Sequence, residues 1–206
     1  PDHPGTLTAQ NNLADAYELA ERLDDAIPLF EQNLTDCERI LGPDHPDTLA
    51  SRGNLAAAYE SAGRLDEAID LLEQNLSDRL RVLGPDHPDT LTARNNLASA
   101  YKSAGRLDEA IDLLEQNLTD HERILGPDHP RTLISRNNLA GSYREAGRLD
   151  EAIDLYERNL DDGLRILGPD HLYIFSSRSN LAGAYESAGR LDKAVPLFER
   201  TLADRE

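Results

Sequence analysis

The side chains best suited to chemistry in this chain recur at a fixed interval. His3, His45, His87, His129 and His171 each close a Pro-Asp-His segment, and the spacing is 42 residues every time. Imidazoles can ligate zinc, but a zinc site needs its ligands converging at about 2 Å from one ion, which residues one repeat apart along a stack cannot do. Their place just before a helix-like stretch suits a role in starting the helix. His121 has no cysteine or histidine close to it in sequence, and Cys37, the single cysteine, has no recurring histidine partner and cannot form an intrachain disulfide. Phosphate-binding glycine loops, G-x-S-x-G and H-E-x-x-H are absent. Carboxylate pairs such as Asp66 and Glu67 fall where helix N-termini are expected. No catalytic residue, metal site or cofactor is predicted, and the chain reads as a non-enzyme.

Amides are the more informative groups. Asn12, Asn54, Asn96, Asn138 and Asn180 occupy one phase of the repeat without exception. Asparagine is a mediocre helix former, so five of them in mid-helix call for a reason beyond propensity. A carboxamide carries an acceptor and two donors, enough to meet the N–H and C=O of an extended peptide whatever its side chains. The same amide could instead bond a neighbouring helix and hold adjacent repeats in register, and both roles stay open. Ala57, Ser99, Gly141 and Gly183, one turn further along, leave room above this ladder, whereas Asp15 breaks the pattern. Lys102 and Arg144 stand at one phase in the middle repeats where Glu18, Glu60 and Glu186 stand elsewhere. That arrangement suits a carboxylate-bearing ligand with basic parts toward the ends, or else is a solvated face of mixed charge.

Two further series look structural. Arg52, Arg94, Arg136 and Arg178 border the apolar stripe, where the stem can pack and the head can reach a carboxylate on the adjacent repeat. Asn33, Asn75, Asn117 and Asn159 lie one turn from core positions. A buried amide without partners costs roughly 1–3 kcal/mol, so a hydrogen bond to the next repeat's first helix is expected.

The elements that must position these groups follow from the period. Gly42, Gly84, Gly126 and Gly168 divide the chain into repeats 1–42, 43–84, 85–126, 127–168 and an incomplete 169–206. In the second repeat Pro46 suits a first helical position, with Asp47 in the positive first turn. Leu49, Leu55, Ala56 and Tyr59 then fall at helical spacing, and Gly63 suits a left-handed stop. A second stripe runs through Leu65, Ala68, Ile69, Leu72, Leu76 and Leu83 until Leu-Gly-Pro-Asp ends it. Such a hairpin cannot bury its apolar faces alone, so the repeats must stack. Repeat one has Glu21 for the turn glycine, and repeat five has Leu172, Tyr173 and Phe175 where proline, aspartate and leucine are expected, which predicts an altered junction or an apolar patch.

Composition narrows the partners. The chain holds 21 basic and 39 acidic residues for a net charge of −18, so neither nucleic acid nor an anionic membrane surface is an expected partner. No secretion signal and no apolar run of about 18 residues is present, and a cytoplasmic location is expected. The chain opens inside its linker motif and stops inside an expected helix, as a piece of a longer array would.

The recurring Asn-Leu-Ala, tyrosine and Gly-Arg-Leu-Asp-Glu-Ala-Ile series resembles the tetratricopeptide repeat. With Leu-Gly-Pro-Asp-His-Pro between units, it is similar to the kinesin-light-chain-like 42-residue variety over essentially the whole chain. That resemblance implies an all-α, right-handed α-solenoid of five helix-turn-helix repeats forming one domain over 1–206. The first helices would line a concave groove for a peptide or partner protein. It further implies that Asn12, Asn54, Asn96, Asn138 and Asn180 hold the backbone of an extended segment, beside Asn95, Ser99, Lys102, Asn137 and Arg144. Arrays of this variety are also similar to those that follow nucleotide-switch signalling domains in bacteria. The alternative is therefore a regulatory or self-assembly segment of a larger protein, associating through its repeat ends.

Overall fold

A computed structural model describes residues 4–203; His3 and the segment 204–206 lie outside them. The described residues form ten α-helices and no strand: α1 Pro4–Leu19, α2 Leu23–Leu41, α3 Pro46–Ser61, α4 Leu65–Leu83, α5 Pro88–Ser103, α6 Leu107–Leu125, α7 Pro130–Glu145, α8 Leu149–Leu167, α9 Leu172–Ser187 and α10 Leu191–Ala203. Each repeat supplies one hairpin in the phase the sequence predicts.

The linker histidines act where their position suggests. His45 caps α3 by accepting the Asp47 N–H on Nδ1 at 3.2 Å, and His87, His129 and His171 do the same for α5, α7 and α9 at 3.1 Å. A free lone pair on Nδ1 places the ring proton on Nε2. The cap at His171 survives although Leu172 replaces the helix-starting proline. Thr48 Oγ1 donates to the Gly42 carbonyl at 2.8 Å, and Thr132 repeats this on Gly126 at 2.8 Å, which ties α3 and α7 to the turns before them.

Two kinds of turn join the helices. Within a hairpin, Gly63 at φ 72° closes α3, with the Arg64 N–H bonded to the Tyr59 carbonyl at 2.8 Å. In repeat one Glu21 holds the same left-handed conformation at φ 57° and makes the same closure from Arg22 to Tyr17. Between hairpins, Gly84 at φ 84°, ψ 170° occupies a region that is essentially glycine-only.

The chain divides into two compact units, Pro1–Gly105 and Arg106–Glu206, with the boundary between the two helices of the third repeat. In the first unit α1 to α5 pack consecutively, and in the second α6 to α10 do so. Alanines recur on the packed faces: Ala14, Ala26, Ala56 and Ala68 in one unit, Ala140 and Ala152 in the other, are all fully buried. Leu49, Leu55, Ile69 and Leu72 fill the space around them. In repeats two to five the tyrosine that follows reaches back one repeat to a glutamate, as Tyr59 to Glu31 at 2.8 Å and Tyr143 to Glu115 at 2.6 Å. Burial and that glutamate bond together push the Tyr143 phenol up to about 12.

Candidate functional site

The first-helix face carries every predicted binding residue. Asn12, Asn54, Asn95, Asn96, Ser99 and Lys102 lie in the first unit, and Asn137, Asn138, Arg144 and Asn180 in the second. Asn12, Asn96 and Ser99 are exposed; Asn54, Asn95, Lys102, Asn137, Asn138, Arg144 and Asn180 are half-buried.

The ladder has a lateral bond. Asn54 Nδ2 donates to Asn11 Oδ1 at 2.9 Å, and Asn180 Nδ2 donates to Asn137 Oδ1 at 2.9 Å. Both bonds join first helices of adjacent repeats, so the register role holds for these two residues. For Asn96 the position corresponding to Asn11 is Gly53, which offers no side chain. Asn11 was not among the predicted residues, although its recurrence as Asn95 and Asn137 was a signal. Space above the ladder is partly used: a Cβ at Gly183 would lie 2.9 Å from Arg144 Nη1. The Arg144 side chain therefore reaches the next repeat's first helix at Gly183. Asp15, where the pattern breaks, accepts from Asn11 Nδ2 at 3.0 Å, and burial raises its carboxyl above the ordinary value.

The arginine series is structural and does more than the sequence suggests. Arg52, 1% exposed, donates to Asp78 of its own repeat at 2.7 Å and to Glu38 of the preceding one at 3.0 Å. Arg136 likewise joins Asp162 at 2.8 Å and Glu122 at 3.1 Å. Each therefore staples two second helices rather than reaching one neighbour. Arg81 continues the network from Asp78 to Asp44, as Arg165 does from Asp162 to Asp128. Burial alone would raise the Asp78 carboxyl, but bonds from Arg81 and Arg52 outweigh it and hold it below the ordinary value. Asp162 behaves in the same way with Arg165 and Arg136.

The second asparagine series lies at the junctions, as expected. Asn33 Nδ2 donates to the Leu7 carbonyl at 2.7 Å, and its Oδ1 accepts from Ser51 at 2.8 Å. It thus ties the first helix of its own repeat to that of the next. Asn159 donates to the Tyr173 hydroxyl, which donates in turn to the Leu133 carbonyl at 2.9 Å. Gly163 stands opposite, where a Cβ would lie 3.0 Å from Ile174 Cδ1 and 3.5 Å from Tyr173 Cε1, so the missing side chain leaves its room chiefly to Ile174. Repeat five therefore has an altered junction at Tyr173.

Four different residues occupy the Gly163 position around the chain: Cys37, Arg79, His121 and Gly163. Arg79 lies 3.2 Å from Asp89 and donates to Asn75 Oδ1 at 3.3 Å. His121 is buried, its Nδ1 2.9 Å from the Asn117 carbonyl and 3.2 Å from Ser135 Oγ. Cys37 is short, and opposite it stands Asp47 where Gly163 meets Tyr173. Above it lies an open pocket of roughly 210 Å³ between α1 and α3, floored by Asn33, Cys37 and Ser51 and rimmed by Thr8, Asp47 and Ala50.

Among the described residues no three His, Cys, Asp or Glu side chains cluster as metal ligands, and no helix is long and apolar enough to cross a membrane.

The tetratricopeptide repeat profile matches residues 5–79, 62–119, 95–161 and 135–206. The chain is similar to the TPR-like repeats of a protein from Podosopora anserina named for kinesin light chain. Identity there is 33% over 98% of this chain and 96% of that one, with a TM-score of 0.89. It shares 24% identity with BtubC from P. vanneervenii over 94% of this chain and 77% of that one, at a TM-score of 0.79. With MamA AMB-1 it shares 24% identity over 95% and 97% of the two chains at a TM-score of 0.61. The last two likenesses show the fold alone. No curated protein sequence matches the chain.

Proposed function

The chain belongs to the tetratricopeptide-repeat family, in its kinesin-light-chain-like variety, and from that premise we propose that it holds an extended protein segment on its first-helix face. Its all-α solenoid of five helix hairpins is a protein–protein interaction scaffold. One observation carries the finer reading. The lateral bonds of Asn54 and Asn180 fix the amide planes while leaving Oδ1 and one Nδ2–H of each without a partner among the described residues. A carboxamide held this way is pre-organised for an extended backbone, which lowers the ordering cost of binding. Register and recognition are then two uses of one side chain.

The test is a peptide-array screen on the native protein and on an Asn96→Ala/Asn138→Ala variant, with circular dichroism to check that the variant keeps its helices. Binding that disappears in the folded variant is the expected result. Binding that survives moves the site away from the asparagines.

A second reading is self-association or incorporation into a larger bacterial signalling assembly. Concentration-dependent mass in sedimentation separates this from a receptor that stays monomeric.

A further inference from the structure

We propose that the pocket between α1 and α3 is a subsite for an arginine side chain of the bound segment. The inference deepens the reading above and rests on it only for the remainder of the segment.

The protein supplies its own precedent. At the junction of repeats two and three, Arg79 rises from α4, is 13% exposed, and places its guanidinium against Asp89 and Asn75 Oδ1. At the junction of repeats four and five, Tyr173 fills the same place. The junction of repeats one and two keeps the carboxylate and the amide but lacks the occupant; there Asn33 Oδ1 takes the Ser51 hydroxyl at 2.8 Å and, more loosely, the Cys37 thiol at 3.7 Å. Asp47 is the counterpart of Asp89 and Asn33 that of Asn75, yet Cys37 stands where Arg79 does. The shortened side chain leaves the roughly 210 Å³ pocket, larger than the about 150 Å³ cavity that accepts a benzene ring.

The opening faces the ladder. Thr8, Asn12 and Ala50 at the mouth are exposed, while Asn33, Cys37 and Ser51 at the floor are buried. A guest therefore enters from the side on which the segment would lie. Asp47 supplies the charge: its carboxylate is three-quarters exposed, and among the described residues no arginine or lysine pairs with it, while His45 Nδ1, 3.8 Å away, is engaged in accepting the Asp47 N–H. Its field reaches the floor, since burial first and Asp47 second raise the Cys37 thiol above its ordinary value. A planar guanidinium can bond the carboxylate and displace the long 3.7 Å thiol contact on Asn33 Oδ1 at once, whereas an ammonium is a compact point charge. The neutral thiol beneath leaves room for the guest without competing for the carboxylate.

The probe is N-acetyl-arginine methylamide, titrated into isotopically labelled protein, with the citrulline and lysine analogues in parallel. The expected result is saturable movement of the Ser51 and Asn54 backbone signals with arginine, about tenfold weaker binding with Asp47→Asn, and loss of binding in Cys37→Arg, which fills the pocket from within. Asp47 is exposed, so its variant remains informative should Cys37→Arg not fold. Equal movement with citrulline, persistence in Asp47→Asn, or no movement with arginine overturns the proposal. One amino acid needs no ladder, so a negative result here leaves the peptide-array test of the groove standing, and the reverse holds as well.

Discussion

Replacing Arg52 by methionine keeps the length of the stem and removes the staple between α2 and α4. Arg52 is 1% exposed, whereas its partners Asp78 and Glu38 are 19% and 43% exposed. A hydrogen bond to a charged group contributes about 1.5–3 kcal/mol, which applies to the 2.7 Å bond to Asp78. The Glu38 bond is half solvated and adds about 0.2–1 kcal/mol. Asp78 retains Arg81, so the change does not reach the 3–5 kcal/mol range for stranding a buried ion. Arg52 Nε has no partner, and its removal offsets a little of the loss. The expected destabilisation is about 2–3 kcal/mol. Urea unfolding is the suitable assay because urea, unlike guanidinium, does not screen charges. A double-mutant cycle with Asp78→Asn isolates the pair, with an expected coupling of about 1 kcal/mol or more. A loss below about 1 kcal/mol, or zero coupling, would refute the staple. Arg136→Met should behave alike, because its bonds to Asp162 and Glu122 repeat the geometry.

Other outcomes follow from single residues. Glu21→Gly relieves a left-handed backbone at φ 57° and should raise stability by about 0.5–1 kcal/mol in thermal melts. Asn33→Ala should cost about 2–3 kcal/mol because both ends of its amide are bonded, and Asn117→Ala less, since its Oδ1 has no partner; an unchanged melting temperature for Asn33→Ala removes the register role. His121 is buried, and desolvation lowers its pKa below the unfolded value. Its folded state thus binds the proton less readily, so stability is complete above about pH 6.5 and falls as the pH drops from there through the folded pKa. His121→Gln should flatten that part of the profile in pH-dependent melts.

The hairpins were legible because their signals are local. Pro46, Gly63 and Gly84 mark boundaries through their own backbone constraints, and the helices begin and end there. His45 was readable as a helix start from position alone. Register was legible in half: a buried Asn33 must find partners, but its second one, the Leu7 carbonyl 26 residues earlier, follows only from packing. The Arg52 staple was half visible for the same reason, since its partners come from two repeats. The lateral bonds of Asn54 and Asn180 span 43 residues, and only the recurrence of Asn11 as Asn95 and Asn137 announced them. The pocket was not legible, because an empty place becomes visible only when compared with the same place filled elsewhere.

The four junction residues also forbid shuffling. The Gly-Pro-Asp turn would let any repeat follow any other, as far as the backbone is concerned. The side chains disagree. Were repeat four moved to follow repeat two, Arg79 would face Arg131 instead of Asp89. Were repeat three moved to follow repeat four, Gly163 would face Asp89 and Ala93 in place of Tyr173 and Ser177, opening a hole. A duplication with uniform joints has thus acquired an address at each joint, so that recombination within the array is penalised by mismatched contacts even where the chain would splice without a seam.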